Sequence, residues 1–216
     1  MRGRVTVVVD NHSWIVPYAE QLVLRARSLG FEAIFAGSYD AMNGGDIAFC
    51  LGCTKIARES TLAKNKWNLV VHESALPLGR GFAPIAWQVI NGARSIPVVL
   101  MQADVGADTG PIVEQDEIKL TGYELCDELR RMQGEMTIVL CERFLEKHPD
   151  CPLQPQIGEP TYFRRRTPED SRLDPDRTIR DQFNLLRTVD NDRYPAFFEI
   201  DGHRYQIQIS RVRGLA

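Results

Sequence analysis

The residues best suited to chemistry in this sequence are a histidine and an aspartate, each standing just past an apolar run. His72 comes directly after Trp67-Asn-Leu-Val-Val71, and Asp108 lies in the polar segment beyond Ile96-Pro-Val-Val-Leu-Met101. If both runs are neighbouring strands of one sheet, imidazole and carboxylate meet in a crevice at the strands' carboxyl ends, where α/β sheets bind small ligands. An imidazole that titrates near neutral pH, oriented by a carboxylate, makes the second and third members of an activated-nucleophile relay. The same two residue types at strand ends also serve as a structural hydrogen-bonded pair, and spacing alone leaves both readings open.

Such a pair needs a scaffold, and the composition suits one. With 216 residues the chain makes one large domain, or one full domain with an appendage. Apolar residues make up 44% and charged residues 25%, the balance of an ordinary globular protein and too apolar for extensive disorder. Lysines and arginines number 26 against 29 aspartates and glutamates, so the net charge of −3 disfavours a nucleic-acid partner. Met1 to Arg4 lead straight into Val5-Thr-Val-Val-Val9, too short for the apolar core of a secretion signal. No apolar run approaches the roughly 18 residues of a membrane span. The five cysteines, Cys50, Cys53, Cys126, Cys141 and Cys151, are an odd number, which with the missing signal predicts a reduced, cytoplasmic protein without membrane partners. Cys50-Leu-Gly-Cys53 has redox or zinc spacing. It lacks a second cysteine or histidine pair at ligand spacing, so both thiols read as small apolar strand-end residues and no metal is expected.

Val5 to Val9 is apolar on both faces, as a strand buried in a parallel sheet would be, and ends in Asp10-Asn-His-Ser13. A helix follows, opened at Pro17, carrying Leu22, Val23, Ala26 and Leu29 at helical spacing and stopped by Gly30. Further strands are expected at 31–35, 46–51, 67–71 and 96–101 with helix-length segments between them, hence an α/β fold with a mainly parallel sheet. Three- and four-residue apolar steps from Glu124 to Phe144 predict a long packing helix. Its Met- and Phe-rich stretches, or the carboxy-terminal strands, offer a homodimer face. Proline-rich residues 148–160 read as an extended connector that divides 1–148, which carries the chemistry, from 149–216, a linker and small C-terminal α+β appendage. In the appendage, Arg164-Arg-Arg166 has the charge to face a diphosphate, but with Glu169, Asp170, Asp174 and Asp176 close behind it reads as a self-neutralising surface; 178–187 reads as a short helix, and 196–200 with 204–209 as a hairpin turned at Asp201-Gly202. Residues 187–190 and 194–198 either border the crevice or fill the appendage core, and their apolar count favours the core. Neither GxGxxG nor GxxxxGK follows the first strand, so a nicotinamide or ATP enzyme has no support.

Around the histidine and aspartate, His72, Ser74, Leu76-Pro77, Arg80-Gly81, Ile90-Asn-Gly92 and Asp108-Thr-Gly110 fall in one order. That order resembles the 10-formyltetrahydrofolate-dependent formyltransferases, the family of glycinamide ribonucleotide and methionyl-tRNA formyltransferases. The family pattern runs Asn-x-His, Ser-Leu-Leu-Pro, Arg-Gly, Ile-x-Gly and Asp-x-Gly. The opening Asp10-Asn-His-Ser-Trp14, Val71-His-Glu-Ser74, and the tail Phe183-Asn-Leu-Leu-Arg187 to Tyr194-Pro-Ala-Phe-Phe198 look most like the sugar N-formyltransferase branch, in particular the type of pseudaminic acid pathways.

The resemblance implies a Rossmann-like formyltransferase fold with 1–148 as catalytic domain. It implies direct transfer of a formyl group from 10-formyltetrahydrofolate to the primary amine of a nucleotide-linked amino sugar of the 4-amino-4,6-dideoxy type, with no metal; the alternatives are another amine acceptor, methionyl-tRNA being disfavoured by the charge, or a folate- or nucleotide-binding member without catalysis. His72 would move the amine proton and Asp108 would hold His72 in place. The loop at Cys53, Thr54 and Ile56, closed over by Asp104 to Asp108, would take the pterin on its main chain. Asn11, Ser13 and Trp14 fall where related enzymes hold substrate phosphate, although they also suit a helix cap with a packed Trp. Glu73, Ser74, Arg80 and Gly81 would meet the sugar or its diphosphate, though Arg80 also suits a surface turn. One position departs from the family. Val70 stands where the catalytic Asn belongs, and Asn68 lies one strand repeat deeper, about 6.6 Å away. A donor aimed at an oxyanion is commonly worth about 3–4 kcal/mol, so either protonated His72, a backbone N–H, Asn11 or Ser74 replaces it or the chain is slow or inactive.

Overall fold

A computed structural model describes residues 2–212. The elements run β1 (Arg4–Val8), α1 (Val16–Ser28), β2 (Glu32–Ala36), β3 (Gly45–Cys50), α2 (Glu59–Leu62), β4 (Asn65–His72), β5 (Arg80–Gly81), α3 (Pro84–Ile90), β6 (Ser95–Gln102), β7 (Ile112–Lys119) and α4 (Cys126–Lys147). After them come β8 (Tyr162–Phe163), a 3-10 turn (Pro168–Ser171), α5 (Phe183–Leu186), β9 (Ala196–Ile200) and β10 (His203–Ile207).

Six strands form one sheet in the order β2-β1-β3-β4-β6-β7, with helices packed against it: a Rossmann-like α/β fold with a mostly parallel sheet. β2, β1, β3 and β4 pair in parallel, as their unbroken apolar runs predict. β6 and β7 then run antiparallel. Strand β7 was not expected: on this outer strand the polar run Glu114-Gln-Asp-Glu117 interrupts the apolar residues Ile112, Val113 and Ile118 and hides the strand pattern.

Alternation along β4 sends Leu69 and Val71 to one face of the sheet and Val70 and His72 to the other. On the first face, α1 and α4 cover a core of Val5, Val7, Ile47, Phe49, Leu69, Val98, Leu100, Leu140 and Phe144. Met132 and Met136 pack half-buried against that core, and Phe144 is fully buried within it. The long helix starts two residues later than its apolar stripe suggests. Glu124 is used before the helix, accepting from the Thr121 N–H and hydroxyl and the Gly122 N–H, while Glu128 reaches back to the Leu125 N–H.

The segment after α4 is hydrogen-bonded to the site end of the sheet rather than hanging free. Gln154 bridges Ile112, and Tyr162–Phe163 pairs with Arg80–Gly81. Beyond it Leu173, Leu186, Val189 and Ala196 make a second small core under the β9–β10 hairpin, which turns at Asp201-Gly202 as predicted. The helix expected over 178–187 shrinks to Phe183–Leu186, because the Gln182 amide donates to the carbonyls of Asp174, Arg177 and Thr178 and holds that chain as a turn.

Candidate functional site

On the face of the sheet away from α1 and α4, Cys50, Val70 and Met101 lie side by side in register across β3, β4 and β6. They floor a cavity of about 310 Å³. The chain after β3 (Gly52 to Ala57) walls one side, and the loop between β6 and β7 (Asp104, Gly106 to Asp108) walls the other. His72, one pleat beyond Val70 as the last residue of β4, is only 5% exposed and opens on this space.

Asp108 reaches His72 by a route different from the one expected. β4 and β6 are antiparallel, with Gln102 opposite Leu69, so the end of β6 lies behind His72. The loop from Ala103 to Pro111 doubles back along the cavity face and brings the Asp108 carboxylate to 3.7 Å from His72 Nδ1. That reversal needs special backbone. Asp108 itself is left-handed (φ 55°), a conformation Asp tolerates better than most residues, and strain of this kind gathers at functional sites. The loop is pinned from outside the chemistry-bearing segment: Gln156, in the proline-rich connector, donates to the carbonyls of Asp108 and Gly110. Nothing in the local sequence marks Gln156, since its partners lie more than forty residues away.

The hydrogen bonds define what each group can do. His72 Nε2 lies 2.8 Å from the Gly79 carbonyl, which only accepts, so Nε2 carries the proton in the neutral ring. Nδ1 is then an unprotonated lone pair facing Asp108. Asp108 Oδ2 accepts from the Gly81 N–H at 2.8 Å, which fixes the carboxylate and aims Oδ1 at the ring. A proton arriving at Nδ1 would lie between two acceptors, so the pair is built to take one.

A second cavity of about 370 Å³ adjoins the first; Gly52, Glu73, Ala83 and Pro84 border both. Glu73 is 8% exposed and accepts from the Gln133 amide at 2.6 Å, and burial pushes its carboxyl up from the ordinary range. The far walls come from α4 (Cys126, Leu129, Arg130, Gln133) and the appendage (Arg166, Thr188, Asp190, Tyr194). This corrects two expectations. Thr188, Asp190 and Tyr194 border the crevice rather than only filling the appendage core, which Arg187 and Val189 do. The arginine triplet divides: Arg164 pairs with Asp170 and covers Trp87, Arg165 covers Phe82, and Arg166 turns into the cavity wall.

The remaining candidates fall into two groups. Cys53, Thr54, Ile56, Asp104 and Gly81 line the first cavity, and Trp14 lines the second, edge-on to Tyr18. Ser13, Ser74 and Arg80 line neither. The Ser74 hydroxyl is buried without a partner, and Arg80 turns away to Gln156 Oε1 at 2.7 Å. The Asn11 amide is spent on Asp10 and the Gly52 carbonyl. Asp10, which spacing did not single out, ties down the cavity loop by accepting from the N–H groups of Thr54 and Lys55. Burial alone would raise that carboxyl, yet the hydrogen bonds from Asn11, Thr54 and Lys55 hold it below the usual range. Asn68 does not stand in for the amide missing at Val70, because its side chain donates to the carbonyls of Leu62 and Asn65 below the cavity floor.

The first cavity suits a flat heterocycle with an amide-like edge. The main-chain groups of Ile56 and Ala57 on its rim make no hydrogen bond to the rest of the described chain, so donors and acceptors stand free beside an apolar floor.

A family model described as Formyl transferase matches residues 7–137. A methionyl-tRNA formyltransferase of Thermodesulfovibrio yellowstonii is 36% identical over 121 residues, covering 54% of this chain and 39% of that protein. The chain thus spans well under half the length of that relative. Among solved structures, the methionyl-tRNA formyltransferase from Clostridium thermocellum superposes with a TM-score of 0.82 at 21% identity, over 97% of this chain and 93% of that one. A sugar N-formyltransferase from a Shewanella species superposes at 0.72 and 15% identity, over 96% and 97% of the two chains. HypX from Aquifex aeolicus, in complex with tetrahydrofolic acid, does so at 0.75 and 15% identity, over 94% of this chain and 37% of that one.

Proposed function

The chain belongs to the formyl transferase family, and on that premise we propose that it transfers a formyl group from 10-formyltetrahydrofolate to the primary amine of a nucleotide-linked amino sugar of the 4-amino-4,6-dideoxy type. The observation that carries the reading is the His72–Asp108 pair, 3.7 Å apart, opening on one cavity while the next residue, Glu73, borders both. Two substrates can then meet at one proton acceptor.

The main chain of Cys53 to Ala57, with Asp104 and Asp108 opposite, would hold the folate. Bound there, it supplies the formyl carbon that the amine attacks and leaves with a proton on its own nitrogen. His72 accepts the amine proton at Nδ1 and returns it to the leaving nitrogen, a service worth about 10²–10⁴-fold. The Gly79 carbonyl keeps the proton on Nε2 and leaves Nδ1 open, while Asp108, clamped by the Gly81 N–H, stabilises the cation formed when Nδ1 takes the proton. Glu73 and the second cavity receive the acceptor. A sugar acceptor is favoured over tRNA by the net charge of −3, while the fold is shared over nearly the whole of both chains with a sugar N-formyltransferase and with a methionyl-tRNA formyltransferase alike.

In the test, the protein is mixed with 10-formyltetrahydrofolate and a panel of amino-sugar nucleotides, and tetrahydrofolate is followed. Product should form only when folate and amine are both present, and His72→Asn or Asp108→Ala should abolish it. Full activity in both variants refutes the assignment. The 36% identical relative favours a second acceptor, methionyl-tRNA. Retention of tRNA on a filter at low salt would support that reading against the sugar.

A further inference from the structure

The second cavity carries a charge imbalance that formyl transfer by itself does not require. Arg130 is matched there by Asp190 at 2.6 Å. Among the described residues Arg166 has no such match. Its guanidinium donates to the Thr188 carbonyl and hydroxyl and to the Asp170 main-chain carbonyl, all neutral acceptors at 3.3–3.4 Å, and its Nε is buried without a partner. The Asp170 carboxylate, which would be its natural partner, is taken by Arg164 and by the Thr167 N–H and hydroxyl. Burial pulls the Arg166 guanidinium down from its ordinary value by more than the nearby Asp170 charge raises it. A half-buried guanidinium without a carboxylate costs stability, and it is repaid when a ligand brings the anion.

The cavity is therefore dipolar. The Glu73 carboxylate stands at the neck beside His72, Arg166 stands on the appendage wall, and Pro84, Ile85 and Leu129 give apolar surface. We infer that Arg166 is an anion subsite which seats the phosphate or diphosphate ester of the amine acceptor, so that the acceptor is a small molecule with an amine at one end and a phosphate at the other. The amine half of this inference rests on the formyl-transfer reading; the anion half stands on the cavity alone. The appendage then selects the substrate, since Arg166 and Thr188 both belong to it while the reacting groups belong to the sheet.

Inorganic pyrophosphate is the probe. Cys126 lines the same cavity, so pyrophosphate should slow its alkylation by a small maleimide, read peptide by peptide by mass spectrometry. Calorimetry should show Arg166→Gln weakening pyrophosphate binding by roughly tenfold to a hundredfold, the range for a lost charged hydrogen-bond donor. Arg166→Lys should recover part of it. Arg143→Gln, which removes a guanidinium paired with Asp116 outside the cavity, should bind as the wild type does. Absence of Cys126 protection in the wild type, or equal affinity in wild type and Arg166→Gln, overturns the inference. The wild-type protection measurement holds even if Arg166→Gln fails to fold. Binding of 5-formyltetrahydrofolate, measured in parallel, should survive Arg166→Gln. Its absence from the wild type would count against the formyl-transfer reading, and the anion subsite would still be judged on pyrophosphate.

Discussion

Asp108→Asn separates the chemical role of the carboxylate from its structural one. Asn occupies the left-handed conformation as readily as Asp, so the φ of 55° at this position is kept. The loop also keeps its anchors, because Gln156 binds the main-chain carbonyl of residue 108 at 2.9 Å and that of Gly110 at 2.8 Å. The amide cannot reproduce the carboxylate on both sides. Its single oxygen must accept from the Gly81 N–H, now served by Oδ2 at 2.8 Å, and that turns the NH₂ group toward His72 Nδ1. The NH₂ donates to the lone pair and occupies the atom that should receive the amine proton. Losing general-base catalysis costs about 10²–10⁴ in rate, or about 2.7–5.5 kcal/mol of barrier. Global stability should change by less than about 1 kcal/mol, since no backbone contact is lost. Tetrahydrofolate formation at saturating substrates measures the first quantity and urea unfolding the second. Nitrogen-15 correlations of the four histidines add a direct view of the ring. His72 should carry its proton on Nε2 in both proteins. A variant within threefold of wild-type rate, or a wild-type His72 protonated on Nδ1 alone, would refute the reasoning.

Gly81→Ala should damage stability and rate together. Its φ is +102°, and an added Cβ would sit 2.4 Å from the Phe163 carbonyl oxygen, so the β5–β8 pair must part and carry the Gly81 N–H away from Asp108. Strain of about 1–3 kcal/mol in urea titrations is expected, with activity down at least tenfold. Glu124→Gln should be among the most damaging changes outside the cavity linings. Burial alone would raise the Glu124 carboxyl, but hydrogen bonds from Thr121 and Gly122 hold it at about 2, and it faces the fully buried Arg187 at 3.4 Å. Removing the charge strands Arg187 at a cost of about 3–5 kcal/mol. Because the folded value lies below the unfolded one, about 4.3, wild type gains its full linkage stability above that pH, about 3 kcal/mol, and loses it as pH falls toward 2. Unfolding midpoints measured from pH 7 to pH 2 should therefore fall more steeply for wild type than for Glu124→Gln. The neighbouring Cys50 thiol holds Cys53 below the ordinary thiol value, so Cys53 should react with iodoacetamide faster than Cys126 or Cys151. A stable folate analogue should slow that reaction, because Cys53 walls the first cavity. Unchanged labelling at saturating analogue would contradict the cavity assignment.

The order of residues along the chain carried the local information. Apolar runs placed β1 to β4 and β6 within a residue or two, and the Asp201-Gly202 turn placed the hairpin, since each depends on neighbours a few positions apart. Strand β7 escaped because the polar run Glu114-Gln-Asp-Glu117 interrupts its apolar residues. Linked motifs from Asn68 to Ile112 named the His72–Asp108 pair, yet the direction of β6, and with it the loop that doubles back to deliver Asp108, was not contained in any window of sequence. Strand direction is set by which edge of the sheet can be covered, a property of the whole fold. The same holds for Asp10 under the cavity loop, for Gln156 behind Asp108 and for Arg166 in the second cavity, whose roles come from partners dozens of residues away. Local spacing specifies which side chains exist and which face of an element they take. Long-range packing chooses which of them remain unpaired, and unpaired polar groups beside a cavity are the ones left free to meet a substrate.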